Sequence, residues 1–183
     1  IGYEVILKTL LDIRILDFCT PIVYGSPKVA AYHRKTLNIS DFSLNIIKSP
    51  EDANPKRANI INCLSDDIRV ELGKSTATAG EASYLSLKKA VEDAKNGKLD
   101  ALVTAPINKY NIQSDHFKFS GHTEFLKDYF NVTDVLMLMT SDLMKVGLLT
   151  VHNPLKDIFP FLSIEGISHK IRLMNRSLIE DFR

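Results

Sequence analysis

Apolar and polar residues follow two rhythms along this chain, one of helical spacing and one of short apolar runs. Residues 2–12 predict an amphipathic helix and residues 18–24 a buried strand. A helix over 27–37 follows, with Ser26 as its cap and Pro27 at the first helical position, where a missing N–H costs nothing. Together these make a βα unit. Strands are predicted over 43–48, 59–64 and 69–72, and the loop 49–56 between the first two contains Pro50 and Pro55, which exclude a continuing element.

The clearest helix covers 78–96, with Ala82, Leu85, Val91 and Ala94 on one side, Lys88–Glu92 and Lys89–Asp93 pairs on the other, and Gly97 to end it. A strand over 99–105 is closed by Pro106, and a loop after such a strand is where open α/β sheets hold ligands. Strands over 134–140 and 145–152 are joined at Ser141-Asp142, too short a link for a crossover helix, so they are expected to pair as an antiparallel hairpin. The alternation of short apolar runs with helices predicts an α/β fold with a mostly parallel or mixed sheet and no internal repeat. Val135, Met137 and Met139 alternate with Leu136 and Leu138, so both faces of that strand are apolar and need cover, either from further chain of the same subunit or from a second copy.

Composition narrows the function. The 183 residues are 45% apolar and 25% charged, as in ordinary globular proteins, and the net charge of +1 with no Lys/Arg cluster argues against nucleic acid or an anionic membrane as partner. No apolar run approaches the ~20 residues of a membrane span. Cys19 and Cys63 lie far apart in apolar runs, the pattern of buried free thiols in a reducing, cytoplasmic setting. The chain starts within a helical pattern at Ile1, without Met or a polar cap, and stops at Arg183 within another, so it is expected to be an internal piece of a longer protein.

The candidate chemistry sits at predicted strand ends. Gly73-Lys74-Ser75-Thr76 imitates the end of a phosphate loop, but Ile68 stands where that motif needs Gly, and no GxGxxG occurs. Lys109, in Thr104-Ala105-Pro106-Ile107-Asn108-Lys109, could meet a phosphate or carboxylate; a solvated loop lysine is the plainer reading. In Gly121-His122-Thr123-Glu124, Gly permits close backbone approach while His and Thr offer donors to a phosphorylated ligand at a helix start, and a simple cap from Thr123 or Ser120 is the alternative. His152, before Asn153-Pro154, suits metal ligation, although one histidine does not make a metal site. His33, His116 and His169 read as surface residues.

The segments Gly2-Tyr3-Glu4-Val5, Thr104 to Lys109, Phe119-Ser120-Gly121-His122-Thr123-Glu124-Phe125, Val135-Leu136-Met137-Leu138-Met139 and Val151-His152-Asn153-Pro154-Leu155-Lys156-Asp157 resemble, in order over the whole chain, the 4-hydroxythreonine-4-phosphate dehydrogenase family. The resemblance implies a three-layer α/β/α fold like that of isocitrate and isopropylmalate dehydrogenases, with two domains around a cleft. Residues 1–105 would belong to the first domain, lacking its first strand and Gly-rich turn, and 106–183 to the second, lacking its carboxyl-terminal half. It implies a cytoplasmic homodimer with a site shared across subunits, its interface within 120–160. It also implies NAD- or NADP-linked oxidation of 4-phosphohydroxy-L-threonine with decarboxylation to 3-amino-2-oxopropyl phosphate, in pyridoxine and pyridoxal phosphate biosynthesis. His122 and Thr123 match the family's substrate-binding pair. His152 matches the first of three histidines for a divalent metal (zinc, magnesium or cobalt), the other two belonging to motifs beyond Arg183. Ser120 replaces a common Pro, and Asn153 a common apolar residue. The alternatives are a dehydrogenase of 4-phospho-threonate or 4-phospho-erythronate, and an acyl-phosphate transferase of related architecture. The 183 residues alone are expected to be inactive.

Overall fold

The computed structural model of the chain describes residues 1–65, 67–151 and 153–182, and these gather into two compact units, Ile1–Phe130 and Asn131–Arg183. The expected division at 105/106 falls inside the first unit, because residues 106–130 supply Ile112, Phe117 and Phe125 to its core.

The first unit is built on a parallel three-stranded sheet in the order β1-β3-β2, from β1 (Ile22–Gly25), β2 (Asn45–Ile47) and β3 (Asn59–Asn62). Val23 pairs in register with Ile60, and Tyr24 with Ile61. Side chains alternate across a strand, so Val23 and Ile60 share one face, where Tyr3, Ile6 and Leu10 of α1 (Gly2–Leu10) and Ala30 of α2 (Pro27–Thr36) pack on them. On the other face Tyr24 donates its hydroxyl to Asp93 of α3 (Ala77–Lys95) at 2.9 Å. Helices therefore cover both faces. Ser26 and Thr76 cap α2 and α3 by accepting from Val29 N and Ala79 N, and Gly97, at φ +71°, takes the left-handed conformation that follows α3.

A buried polar hub registers the three strands. Asn59 is fully buried, and its Oδ1 accepts from Asn45 Nδ2 and from Asn54 N, both at 2.9 Å. Its Nδ2 lies within hydrogen-bond reach of the carbonyls of Pro21, Asn54 and Arg57. One side chain thus ties the chain entering β1, the start of β2 and the loop before β3. That saturation is what makes a buried amide tolerable.

Several expectations are corrected. The strand predicted over 18–24 begins only at Ile22, because Phe18 and Cys19 donate their amides to Ile15 O in the short 3-10 turn Ile13–Asp17; Phe18 is 85% exposed and Cys19 is an exposed thiol. Residues 69–72 form no strand, and the chain there turns with Lys74 N donating to Glu71 O. Residues 99–105 join no ladder because no described strand lies alongside them. On α3 the buried face carries Leu87, Ala90 and Val91, while Leu85 is exposed. His33 is half-buried, its ring stacked on Tyr3 at 5.5 Å, and burial holds its pKa below the ordinary value.

The second unit is the predicted hairpin with a helix. β4 (Met137–Thr140) and β5 (Lys145–Leu148) pair antiparallel through a turn in which Ser141 N donates to Met144 O, and both strands are shorter than expected. α5 (Ile164–Glu180) packs on them: a Cβ on Gly147 would lie 2.9 Å from Met174 Sδ. Lys170 donates to Val135 O at 2.6 Å and His169 pairs with Asp134 at 3.0 Å. Among the described residues no helix is long and apolar enough to cross a membrane.

Asn59→Ala should lower stability by about 1–3 kcal/mol, since a fully buried amide and the hydrogen bonds it makes to partly exposed partners are lost at once. Urea denaturation of the chain measures it, and a loss below about 1 kcal/mol would show that the hub is redundant.

Candidate functional site

The site begins with a glycine in α3. A Cβ on Gly80 would sit 1.7 Å from Asn111 O and 2.9 Å from Ile112 N, so only glycine lets the 107–113 segment rest on the helix backbone. Ile112 then reaches the core beside Leu87 and Val91, and Phe117 and Phe125 complete the cluster with ring centroids 5.4 Å apart. Polar ties set the rest of the path. Asn108 Oδ1 accepts from the amides of Tyr110 and Asn111, while its Nδ2 donates to Ser75 Oγ at 3.2 Å, beside the start of α3. Gln113 Nε2 donates to Lys109 O at 3.2 Å and to Phe119 O at 2.9 Å, joining the Lys109 segment to the chain that enters α4 (His122–Tyr129).

α4 starts at Gly121 with no side-chain cap, which overturns the reading that Ser120 or Thr123 satisfies its first amides; the first helical bond is Phe125 N to Gly121 O. The amides of the first turn therefore face outward with the positive end of the helix dipole. Lys109 stands beside them, its Cε 4.0 Å from where a Cβ of Gly121 would be, and the Glu124 carboxylate is 3.5 Å from the same point. Those are ordinary contacts, and Gly121 is extended at φ −179°, so the structure gives no steric reason for glycine there.

His122 is half-buried. Burial first, and the Lys109 charge second, hold its pKa below the usual imidazole value. At neutral pH it is thus an uncharged ring able to donate one hydrogen bond, next to a permanent cation and a hydroxyl from Thr123. Backbone N–H groups, an ammonium, an imidazole N–H and a hydroxyl on one small surface are the donor set for a phosphate or carboxylate.

The structure therefore brings Lys109 to His122, and Thr123 follows in the first turn of α4. It does not place His152, which lies outside the described residues, and among the described residues no group of three or more His, Cys, Asp or Glu side chains could hold a metal ion. The described donors by themselves do not make up a divalent-metal site. A separate open groove of about 370 Å³ at the carboxyl end of β3 is lined by Asn62, Cys63, Lys88 and Lys89, among others. Burial pushes the Cys63 thiol up to about 11, so it offers no thiolate nucleophile at neutral pH. Gly80, Asn108 and Gln113 are the functional supports that motif reading misses. A glycine inside a strong helical pattern is the signal that could have found the first of them.

A sequence model of the family described as pyridoxal phosphate biosynthetic protein PdxA matches residues 17–183. The 4-hydroxythreonine-4-phosphate dehydrogenase of Bacteroides thetaiotaomicron is 42% identical over 183 residues, covering 100% of this chain and 50% of that protein. A protein of Fusobacterium nucleatum with the provisional name D-threonate 4-phosphate dehydrogenase is 31% identical over 181 residues, covering 97% of this chain and 54% of its own length. The crystal structure of a 4-hydroxythreonine-4-phosphate dehydrogenase from Burkholderia phymatum matches with a TM-score of 0.85 at 28% identity, over 98% of this chain and 55% of that one. The chain spans about half the length of the curated relatives it matches.

In a titration followed by NMR, the His122 ring should show a midpoint below 6.5, and Lys109→Met should move it upward. Because the folded pKa is depressed, the stability tied to neutral His122 is present above the unfolded value and is lost as pH falls through the folded one. An unchanged midpoint in Lys109→Met would show that the lysine does not act on the ring.

Proposed function

This chain belongs to the family of pyridoxal phosphate biosynthetic protein PdxA, and on that footing we propose that it is the phosphate-holding half of a dehydrogenase of a small phosphorylated hydroxy acid. The observation that carries the proposal is the uncapped start of α4 with Lys109 and a neutral His122 beside it. The preferred substrate is 4-phosphohydroxy-L-threonine. Its C3 hydroxyl would be oxidised to a ketone, the hydride passing to NAD or NADP and the proton to a base, and the resulting 3-oxo acid would lose carbon dioxide and take up a proton to give 3-amino-2-oxopropyl phosphate.

Within that reaction the residues of this chain hold and orient. The first-turn amides of α4, Thr123, His122 and Lys109 would grip an anionic group of the substrate, fixing the distance from that end to the reacting carbon. Such fixing is itself a large part of catalysis, because it converts an encounter into a positioned reaction. The nicotinamide cofactor and a divalent metal (zinc, magnesium or cobalt) enter the proposal on family resemblance alone. His152 would supply one metal ligand, with the others outside these 183 residues, and a metal held there would supply Lewis-acid chemistry at the reacting oxygen. The same reading makes the whole protein a homodimer of isocitrate-dehydrogenase-like fold in the cytoplasm, with residues near 120–160 at the interface and the site completed across it.

A second reading has one specific support. The Fusobacterium relative's name specifies a phosphorylated threonate, and the family's two kinds of relative resemble this chain to overlapping degrees, 31–42% against 31–33%. Both substrates carry the phosphate, so a half that grips the phosphate would be shared by both enzymes. The feature that separates them is the amine or hydroxyl beside the carboxylate.

Two experiments on the whole protein decide. Reduction of NAD and NADP is followed with 4-phosphohydroxy-L-threonine and with 4-phospho-D-threonate, and the first is expected to be the better substrate by kcat/KM; the reverse order would establish the second reading, and no reduction with either would refute both. His122→Ala should raise KM about ten- to a hundred-fold, the loss of a charge-assisted hydrogen bond, with metal content intact, whereas His152→Ala should lose metal. Equal metal loss in both variants would show that the roles are wrongly divided.

A further inference from the structure

Resting on the anion-holding reading of the α4 start, we propose that Gln113 is a positioning residue, whose side-chain amide clamps the Lys109 segment to the chain entering α4 and so sets where the ammonium stands relative to His122 and the first-turn amides. Three observations carry this. Gln113 Nε2 donates to Lys109 O at 3.2 Å and to Phe119 O at 2.9 Å, so one NH2 group spans both segments that build the site. Both segments are anchored elsewhere by apolar side chains, Ile112 at 1% exposure and Phe117 at 0%, so the clamp is not needed to fold them. And Lys109 itself is exposed, with its Cε beside Gly121. A long exposed side chain has no fixed position of its own, so its placement depends on where its backbone is held.

The geometry also says which atoms matter. Each contact uses an N–H of Gln113 against a carbonyl oxygen, so a side chain of the same shape without those donors cannot make them. Gln113→Glu is that side chain, and its carboxylate would face two carbonyl oxygens. A residue that merely filled space would be replaced by Glu without moving the Lys109 segment; a clamp would be broken as thoroughly as in Gln113→Ala. Because Gln113 is exposed and its neighbours in the core are unchanged, both variants should fold, and matching ring resonances of Phe117 and Phe125 check this directly.

The experiment uses the 183-residue chain and needs no substrate. The His122 midpoint is followed by NMR in the unaltered chain, in Gln113→Ala, in Gln113→Glu and in Lys109→Met, and inorganic phosphate is titrated into each. In Gln113→Ala the His122 midpoint should rise by most of the amount seen in Lys109→Met, and phosphate should bind about three- to ten-fold more weakly, as expected for the loss of one well-placed cation contact; in Gln113→Glu the added carboxylate should carry both effects further. Gln113→Ala introduces no charge, so a midpoint shift in that variant is a reading that a space-filling role would not produce, whereas the new carboxylate of Gln113→Glu would by itself raise the His122 midpoint. If phosphate fails to bind the unaltered chain but the midpoint still moves in Gln113→Ala, the clamp stands and the anion-holding reading falls. If phosphate binds, Lys109→Met weakens it and Gln113→Ala leaves both midpoint and affinity unchanged, the clamp is refuted and the anion-holding reading survives.

Discussion

The approach of one backbone to another at Gly80 is the constraint from which the rest of the site follows. Asn111 O occupies the space that any Cβ at position 80 would need. Helix α3 and the 107–113 segment can therefore meet without a side chain between them, and the segment is carried straight into the core through Ile112. Once Ile112 is seated, the chain has little choice about where it turns: Ser114 and Phe117 bridge, Phe117 is buried, and Phe119 and Phe125 close the cluster around it. The start of α4 is consequently delivered beside Lys109, although Lys109 and His122 are separated by a turn-rich stretch with little regular structure of its own.

Two kinds of interaction share this work, and their magnitudes separate their roles. Burying side chains such as Phe117 and Ile112 stabilises by about 1.5–3 kcal/mol each, whereas an exposed amide-to-carbonyl hydrogen bond contributes about 0.5–1.5 kcal/mol net. The aromatic cluster therefore decides that residues 107–130 fold onto α3. The polar ties of Asn108 and Gln113 are too weak to decide that, but they act on degrees of freedom the core leaves open: the direction of the 108–110 turn and the separation of Lys109 from Gly121. Stability and site geometry are thus assigned to different residues. The Asn59 hub makes the opposite case, because there the amide itself is fully buried and its loss removes several hydrogen bonds at once.

What was legible in the sequence was local. Helices α1, α2 and α3 and the β4–β5 hairpin stand within a few residues of their predicted places, because capping residues, Pro at a first helical position and a short link act over one or two turns. The same is true of His122-Thr123 at a helix start. The failed strands are failures of partnership. Residues 69–72 and 99–105 have apolar, strand-like composition, but a strand exists only where another lies beside it, and composition does not carry that information. Phe18 reads as core and is exposed because a 3-10 turn claims the backbone amide it would need for pairing. Gln113 looks like any exposed glutamine; its contacts follow from a fold in which residues 109 and 119 come together.

The electrostatic arrangement at α4 has a logic of its own. Two cations side by side would repel in the empty site, and each would need a counter-charge to keep it there. Here burial first and the neighbouring Lys109 charge second lower the pKa of His122, so the ring is uncharged in the empty site and remains a directional donor. Under the proposed function, a phosphate bound there would add negative charge beside the ammonium and the helix end, and that charge would favour protonation of His122 where the empty site opposes it. Proton uptake and anion binding would then be coupled through the same three groups, so that the site holds its ligand more tightly as pH falls towards the ring's midpoint in the complex, down to the point at which the ligand itself is protonated. A site made of two lysines would lack this coupling, because both would stay charged across the whole range.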